Sequence, residues 1–413
     1  FGYPQGTMQG VLEVPFEGGE PRTFAGVMEG GKFGSEPGQF RVPTDVACDK
    51  EGRVYVADYM NDRVQVFSPD GSSGGGSASG GKFLKAIPVN KPAQIRIHHR
   101  TQELWVFSYN EIGVSSDVFR AAGLQKLDVK PVLTRFGSFD QPARISEQDL
   151  PLAPVTRSAS ARGHAYQIAL DSWAEPAAIW VVTRKAQFAG SLDAWWSGWK
   201  GGADDWAGDG IQILMEKDGK WSSRRDFAKE ALKAIKLVMP VPVGQRMQVN
   251  PKNQKLYVME QRDPAKSAKF LIEIDPETGK IRLVDLPFDA EDFCFDINGL
   301  AYLRTDREVV RYEPETWREV PWDYGEERES VAFGDKAARN VKSALPTPGS
   351  RPVCYHQGGM WVSPEGLLAV SCCNFAGNPE HKKPDWIGAP AASKPYTPNI
   401  FPAYAASKPA PLS

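Results

Sequence analysis

An all-β chain of small antiparallel sheets set side by side in a radial array is the fold class this sequence predicts. Three observations predict it. Helical periodicity is nearly absent: the clearest segment with a 3.6-residue apolar period is Asp226 to Leu237, where Phe227, Ala231, Ala234 and Ile235 share a face. Elsewhere short apolar runs alternate with turn residues, as in Asp45 to Asp49, Arg53 to Asp58 and Arg63 to Phe67, with Lys-Glu-Gly after the first run and Pro69-Asp-Gly71 after the last. Gly and Asp stand where positive φ or side-chain turn bonding is needed. The third observation is recurrence.

The first two strands of this unit recur six times. The residues that end the first strands are Asp49, His98, Asp171, Asn250, Asp296 and Ser363. One position before these anchors stand Cys48, Ile97, Leu170, Val249, Phe295 and Val362; three before stand Val46, Ile95, Ile168, Met247, Phe293 and Met360. Both columns are apolar throughout, and each copy has a second apolar run, from Val54-Tyr-Val in the first to Leu367-Leu-Ala-Val in the last. Alternation of this kind fits sheets packed face to face.

The first copy is the most specific. Pro37-Gly-Gln-Phe40, Pro43 to Asp49, Gly52 to Asp58, Asn61-Asp-Arg-Val-Gln-Val-Phe67 and Pro69-Asp-Gly71 closely resemble the NHL repeat. That resemblance implies a six-bladed β-propeller with four antiparallel strands per blade. It implies fold more firmly than activity. The sixth copy supplies two strands, 357–362 and 367–372, while 10–16 and 22–27 lie upstream of the first copy. The N-terminal strands are therefore expected to complete the last blade and leave no sheet edge exposed. One propeller over 1–374 and an Ala/Pro/Ser/Lys-rich tail or linker over 375–413 is the resulting organisation.

Composition excludes several roles. Lys and Arg total 49 against 51 Asp and Glu, a net charge of −2, so no electrostatic footprint for a nucleic acid exists. With 41% hydrophobic and 24% charged residues the chain can bury a core. Apolar runs are broken well before the roughly 18 residues a membrane helix requires. The chain opens Phe-Gly-Tyr-Pro, without an initiator Met or a signal pattern. This suits a processed export product or an excised fragment, and export to the periplasm, cell surface or medium is the expected localisation.

Insertions are expected at 137–163, 185–209 and 322–353, on the face where first strands begin and second strands end. Long loops on a rigid scaffold are where binding concentrates, although they also serve as caps or joints. Ser72 to Gly81, rich in Gly and Ser, reads as a flexible loop without chemistry.

Candidate binding residues come from the first strands and the insertions. Four positions before the anchors stand Asp45, Gln94, Gln167, Arg246, Asp292 and Gly359; seven before, His164 and His356 occupy equivalent places. Polar groups converging from separate blades make a small-ligand pocket, or else satisfy one another. Trp195, Trp196 and Trp199 crowd one insertion with nearby Asp residues; they either stack on sugars and partner surfaces or pack as a private core. Cys354 with Cys372 or Cys373 is a disulfide candidate, while Cys48 and Cys294 read as small core side chains. No resident cofactor is expected, with calcium at the Asp-rich insertion and zinc near Cys354 and His356 as alternatives.

No nucleophile elbow, phosphate loop or dinucleotide fingerprint appears. The expected function is a non-enzymatic binding or scaffold propeller that recognises a protein partner or glycan through its insertion-bearing face, within a larger assembly. The alternative is a hydrolase or lyase using Asp45, Arg246 and Asp292 at the top of a central channel.

Overall fold

The computed structural model describes residues 9–13, 22–27, 32–69, 80–110, 129–152, 166–183, 211–227, 243–261, 268–290, 292–304, 308–320, 327–329, 340–342, 345–346, 360–362, 368–370 and 399–401. Among these residues the protein is all-β apart from a single 3-10 turn at Tyr59–Asn61. The chain forms two compact units, one of Phe1–Glu13 with Pro21–Asp226, the other of Val14–Glu20 with Phe227–Ser413.

In the first unit, β1 (Gln9–Glu13) and β2 (Arg22–Val27) pair as a hairpin. Three four-stranded antiparallel meanders follow. They are β3 (Pro43–Cys48), β4 (Val54–Asp58), β5 (Arg63–Ser68) and β6 (Lys82–Pro88); then β7 (Pro92–Ile97), β8 (Leu104–Ser108), β9 (Val132–Phe136) and β10 (Arg144–Asp149); then β11 (Tyr166–Asp171), β12 (Ala178–Thr183), β13 (Ile211–Lys217) and β14 (Lys220–Asp226). The second unit holds β15 (Val243–Val249), β16 (Leu256–Gln261), β17 (Ala268–Ile274) and β18 (Ile281–Ala290) as a fourth meander. The fifth is β19 (Asp292–Phe295), β20 (Ala301–Arg304), β21 (Glu308–Glu313) and β22 (Arg318–Glu319). A hairpin of β23 (Glu327–Glu329) and β24 (Asn340–Lys342), the strand β25 (Leu345–Pro346) and a sheet of β26 (Met360–Val362), β27 (Leu368–Val370) and β28 (Asn399–Phe401) complete it. The fold is of the β-propeller type, and each expected first and second strand is present in its expected place.

Second strands are buried on both faces, which is why they read as unbroken apolar runs. On β4, Tyr55 and Ala57 face Ile95, Leu104 and Val106 of the second sheet, while Val56 faces Phe24 and Ala25 of the β1–β2 hairpin. On β8 the alternate residues Trp105 and Phe107 pack toward Ile179 and Val181 of the third sheet. In the second unit Tyr257 and Met259 meet Phe293, Ala301 and Leu303 in the same manner. Trp105 and Trp180 are 2% and 0% exposed, so these side chains carry a large share of the packing. Each such burial is worth roughly 1.5–3 kcal/mol.

Several expectations change. Residues 144–149, assigned to an insertion, are β10, the outer strand of the second sheet. That strand carries Arg144, Glu147 and Asp149 at exposed positions, a polar pattern suited to a sheet edge but poor in apolar signal. Beside β27 the third strand is β28 from the tail rather than an N-terminal strand. Pro398 and Pro402 bracket Asn399–Phe401. Proline pushes the residue before it toward extended backbone, and short Pro-flanked strands belong at edges. Leu345–Pro346, from the expected insertion 322–353, pairs with Glu308 and Val309 and so extends the outer edge of the fifth sheet that β22 covers only at Tyr312 and Glu313. Val46 is 49% exposed and Cys48 is exposed too, whereas Cys294 is buried. The Phe24, Phe40 and Phe67 cluster covers the middle and outer strands of that sheet face and stops short of β3. The helix expected after Asp226 lies outside the described residues beyond Phe227.

Candidate functional site

The first strands β3, β7 and β15 share a local device. Each pairs with its second strand through a register shift at its entrance, between Pro43 and Asp45, Pro92 and Gln94, and Val243 and Arg246. A bulge turns the following side chain out of the regular alternation. This singles out Asp45 and Gln94, two of the residues expected to line a pocket; for Arg246 the register alone is described.

Asp45 and Gln94 do converge, and what joins them is Arg96, a residue the sequence reading did not select. Asp45 Oδ2 accepts from the Arg96 guanidinium at 2.7 Å and from the Ile95 N–H at 2.9 Å, while its Oδ1 accepts from the Val46 N–H at 3.0 Å. Arg96 also donates to Gln94 Oε1 at 2.9 Å and to the Ile168 carbonyl at 3.2 Å on β11. Gln94 Nε2 donates to the Tyr166 carbonyl at 2.6 Å and is in hydrogen-bond contact with the Tyr109 hydroxyl. Tyr59 OH donates to the Tyr109 carbonyl at 3.0 Å, and Thr44 Oγ1 to the Pro92 carbonyl at 3.0 Å. Three first strands are stitched together by side chains that satisfy one another. The Arg96 side chain keeps a third of its surface exposed and Asp45 a seventh.

A sequence signal for Arg96 exists in retrospect. It stands two positions before the anchor His98 and donates to Ile168, three before the anchor Asp171. Gln248, two before Asn250, donates to the Phe293 carbonyl at 3.3 Å, three before Asp296. A long polar side chain flanked by apolar residues at that position is a link to the next first strand.

Gln167 is 8% exposed on β11, between the two residues whose carbonyls receive these bonds. Asp292 is 2% exposed, with its Oδ1 accepting the Phe293 N–H at 2.8 Å, and it stands opposite Arg304, 1% exposed, in the β19–β20 register. Arg246 lies on β15 opposite Met259. His164, His356, Trp195, Trp196, Trp199, Cys354, Cys372 and Cys373 lie outside the described residues. Among the described residues no group of three or more His, Cys, Asp and Glu could hold a metal ion.

The anchors turn out to be the hubs of tight turns. Asp49 Oδ1 accepts from the N–H of Glu51 and Arg53, while its Oδ2 accepts from Arg53 Nε at 2.6 Å and the Tyr55 hydroxyl at 3.1 Å. Asp296 repeats this with the N–H of Asn298 and Leu300 and the Tyr302 hydroxyl. Asp-x-x-Gly-x-x-Tyr is the shared spacing, and Gly52 and Gly299 take the positive φ it requires, at 78° and 82°. Burial, reinforced by the neighbouring Asp49 carboxylate, raises Tyr55 above the ordinary phenol range; burial and Asp296 raise Tyr302 likewise. Burial also raises Asp171 and Asp296, against the N–H groups that pull each down.

A second hub follows β4. Asp58, fully buried, accepts from the Arg41 N–H at 2.7 Å, Asn61 Nδ2 at 2.8 Å, Arg63 Nε at 2.8 Å and Gln65 Nε2 at 3.1 Å. Burial raises its carboxyl, and those donors oppose the rise.

Residues 40–67, which contain both hubs, match the NHL repeat. No curated protein matches the chain. Similar solved structures include a putative 6-phosphogluconolactonase from Bacteroides uniformis, 12% identical over 87% of this chain and 83% of that one with a TM-score of 0.41. Hydrazine synthase of Kuenenia stuttgartiensis is 11% identical over 89% and 93%, TM-score 0.44. Virginiamycin B lyase of Staphylococcus aureus is 12% identical over 80% and 77%, TM-score 0.38. Likeness at this level says nothing of what this chain does.

Proposed function

We propose that the protein is a non-enzymatic binding or scaffold propeller that recognises a protein partner or a glycan in an exported assembly. Its contact surface is the end of each sheet from which the long connections leave. The observation that carries this reading is an asymmetry of connection length. First-to-second and third-to-fourth strands are joined by tight turns, such as 49–53, 98–103, 172–177, 218–219, 275–280, 296–300 and 314–317, with 69–81 as an exception. The opposite end carries 109–131, 150–165, 184–210 and 227–242 in or leaving the first unit and 320–359 within the second. Long connections concentrated at one end of rigid sheets are the usual site of recognition, and the insertion holding Trp195, Trp196 and Trp199 is among them. Aromatic side chains of that kind serve both sugar and protein surfaces.

A catalytic role for Asp45 is less well supported. Both its oxygens are engaged by three donors, two of them backbone N–H groups, which tie the carboxylate to β3 and β7.

The test screens the full chain, and a variant in which 186–208 is replaced by a short Gly/Ser linker, against a glycan array and a displayed peptide library. Ligands bound by the full chain and lost in the variant support the reading. Ligands retained by the variant, or turnover of any arrayed compound, refute it.

A further inference from the structure

The turn that ends β7 is the odd member of its series. Where the other described sheets place Asp49, Asp171, Asn250 and Asp296, the second sheet places His98. His98 is 6% exposed, stacks on Trp105 with ring centroids 5.7 Å apart, and accepts the Thr101 N–H on Nδ1 at 3.2 Å. An imidazole nitrogen that accepts a hydrogen bond carries no proton. The neighbouring His99 ring lies 3.9 Å from the Trp173 ring, in the turn that ends β11. Beside it Arg100 donates to the carbonyls of Ser172 at 3.2 Å and Ala174 at 2.8 Å and pairs with Glu175 at 3.1 Å. The joint between the second and third sheets at this end is therefore two turns held together by a histidine ring and an arginine.

We propose that this turn-on-turn joint is an acid-released contact, in which protonation of His98 and His99 expels the Thr101 N–H from Nδ1, places new positive charge beside Arg100 and opens the joint. The groups facing the two rings decide the sign. Arg100 on the same turn and Arg135 on β9 are cations; Glu103, which binds Trp105 Nε1 and Arg135, is the nearby anion. Glu216 on β13 is paired with Arg135, and on the facing turn Glu175 is paired with Arg100 while Asp171 accepts the N–H of Trp173 and Ala174. From the first sheet's turn, Lys50 presents its N–H to Gln102 and its ammonium to Glu51. The anions are thus engaged by cations or backbone. Burial lowers both histidines below their ordinary value; Glu103 opposes it at His98, and Arg100 adds to it at both. The folded joint holds neutral rings, the opened one titrates normally, and acid favours opening. The Asn250 anchor, an amide, keeps its acceptor oxygen under the same conditions.

Hydrogen exchange of the full chain at pH 7.5 and 5.0, normalised to intrinsic rates, tests this. Opening of 98–103 and 171–176 should rise by about tenfold at the lower pH, with the Asn250 turn, 250–255, unchanged. A His98→Asn/His99→Phe variant keeps an acceptor and an aromatic ring without a titrating group, and its joint should exchange alike at both pH values. Flat exchange in the unmodified chain overturns the proposal. So does pH dependence that persists in the variant, which would assign the effect to Asp171 or Glu175.

Discussion

At the scale of single residues, the buried carboxylates Asp49, Asp58 and Asp296 each gather several donors around a turn. Asp58 is the clearest case, because removing it leaves the Arg41 N–H, Asn61, Arg63 and Gln65 without their common acceptor. Asp58→Ala should cost about 2–4 kcal/mol in urea unfolding. Gly299 is constrained twice: its φ is 82°, and a Cβ there would sit 2.5 Å from Asn250 Oδ1, whose amide also donates to the Gly299 carbonyl. Gly299→Ala should lose about 1–3 kcal/mol, whereas alanine at Gly219, also at positive φ but with open space around it, should lose about 1 kcal/mol or less. Asp275 supplies a pH test. Partial burial raises its carboxyl, but the N–H groups of Thr278 and Glu277 outweigh that and hold it below the ordinary value. A depressed carboxylate stabilises the fold above its unfolded value, and that contribution disappears as pH falls through the folded one. Asp275→Ala should therefore cost about 1 kcal/mol at pH 7 and progressively less as pH falls into the acid range, read from unfolding midpoints.

Between elements, three outer hairpins reach back to the sheet before them with one aromatic each. Phe139, in the β9–β10 turn, lies under the Arg53 guanidinium at 4.2 Å and the Lys85 ammonium at 3.6 Å. Trp221, opening β14, meets Trp105 edge-on at 5.8 Å; Trp317, in the β21–β22 turn, lies 5.9 Å from Tyr257. Phe139→Ala should lower stability by about 1–3 kcal/mol and speed amide exchange in β6 and β10 more than in β12. Replacing Phe139 with Leu, which keeps bulk and loses the ring face, should restore part of that loss. The second strands were legible in the sequence as unbroken apolar runs, because both faces of β4 and β8 are buried against neighbouring sheets. The aromatic contacts were not legible, since a Phe in a turn gives no sign of which neighbouring sheet it will meet. Nor was β10, whose polar edge pattern matches that of a loop.

Across the whole chain, long connections at one end and tight turns at the other separate the part that folds from the part proposed to recognise. Replacing 186–208 by a short linker should leave the circular dichroism spectrum and the melting temperature within a few degrees of the original. Changing the length of a connection several-fold alters closure free energy by only about 1 kcal/mol. A collapse of the fold would show instead that this segment is part of the core. The sequence by itself determined the first and second strands of each repeat and the residues at which the first strands end, because period-2 burial and Asp- or Gly-dependent turns are local properties written within about twenty residues. Only the tertiary structure decided that Asp45 and Gln94 are joined through Arg96 into a closed polar network, that Val46 is left exposed, and that a strand at 399–401 lies beside β27. Each of these depends on which side chain or backbone edge a distant segment brings alongside, and spacing along the chain does not encode that distance in space.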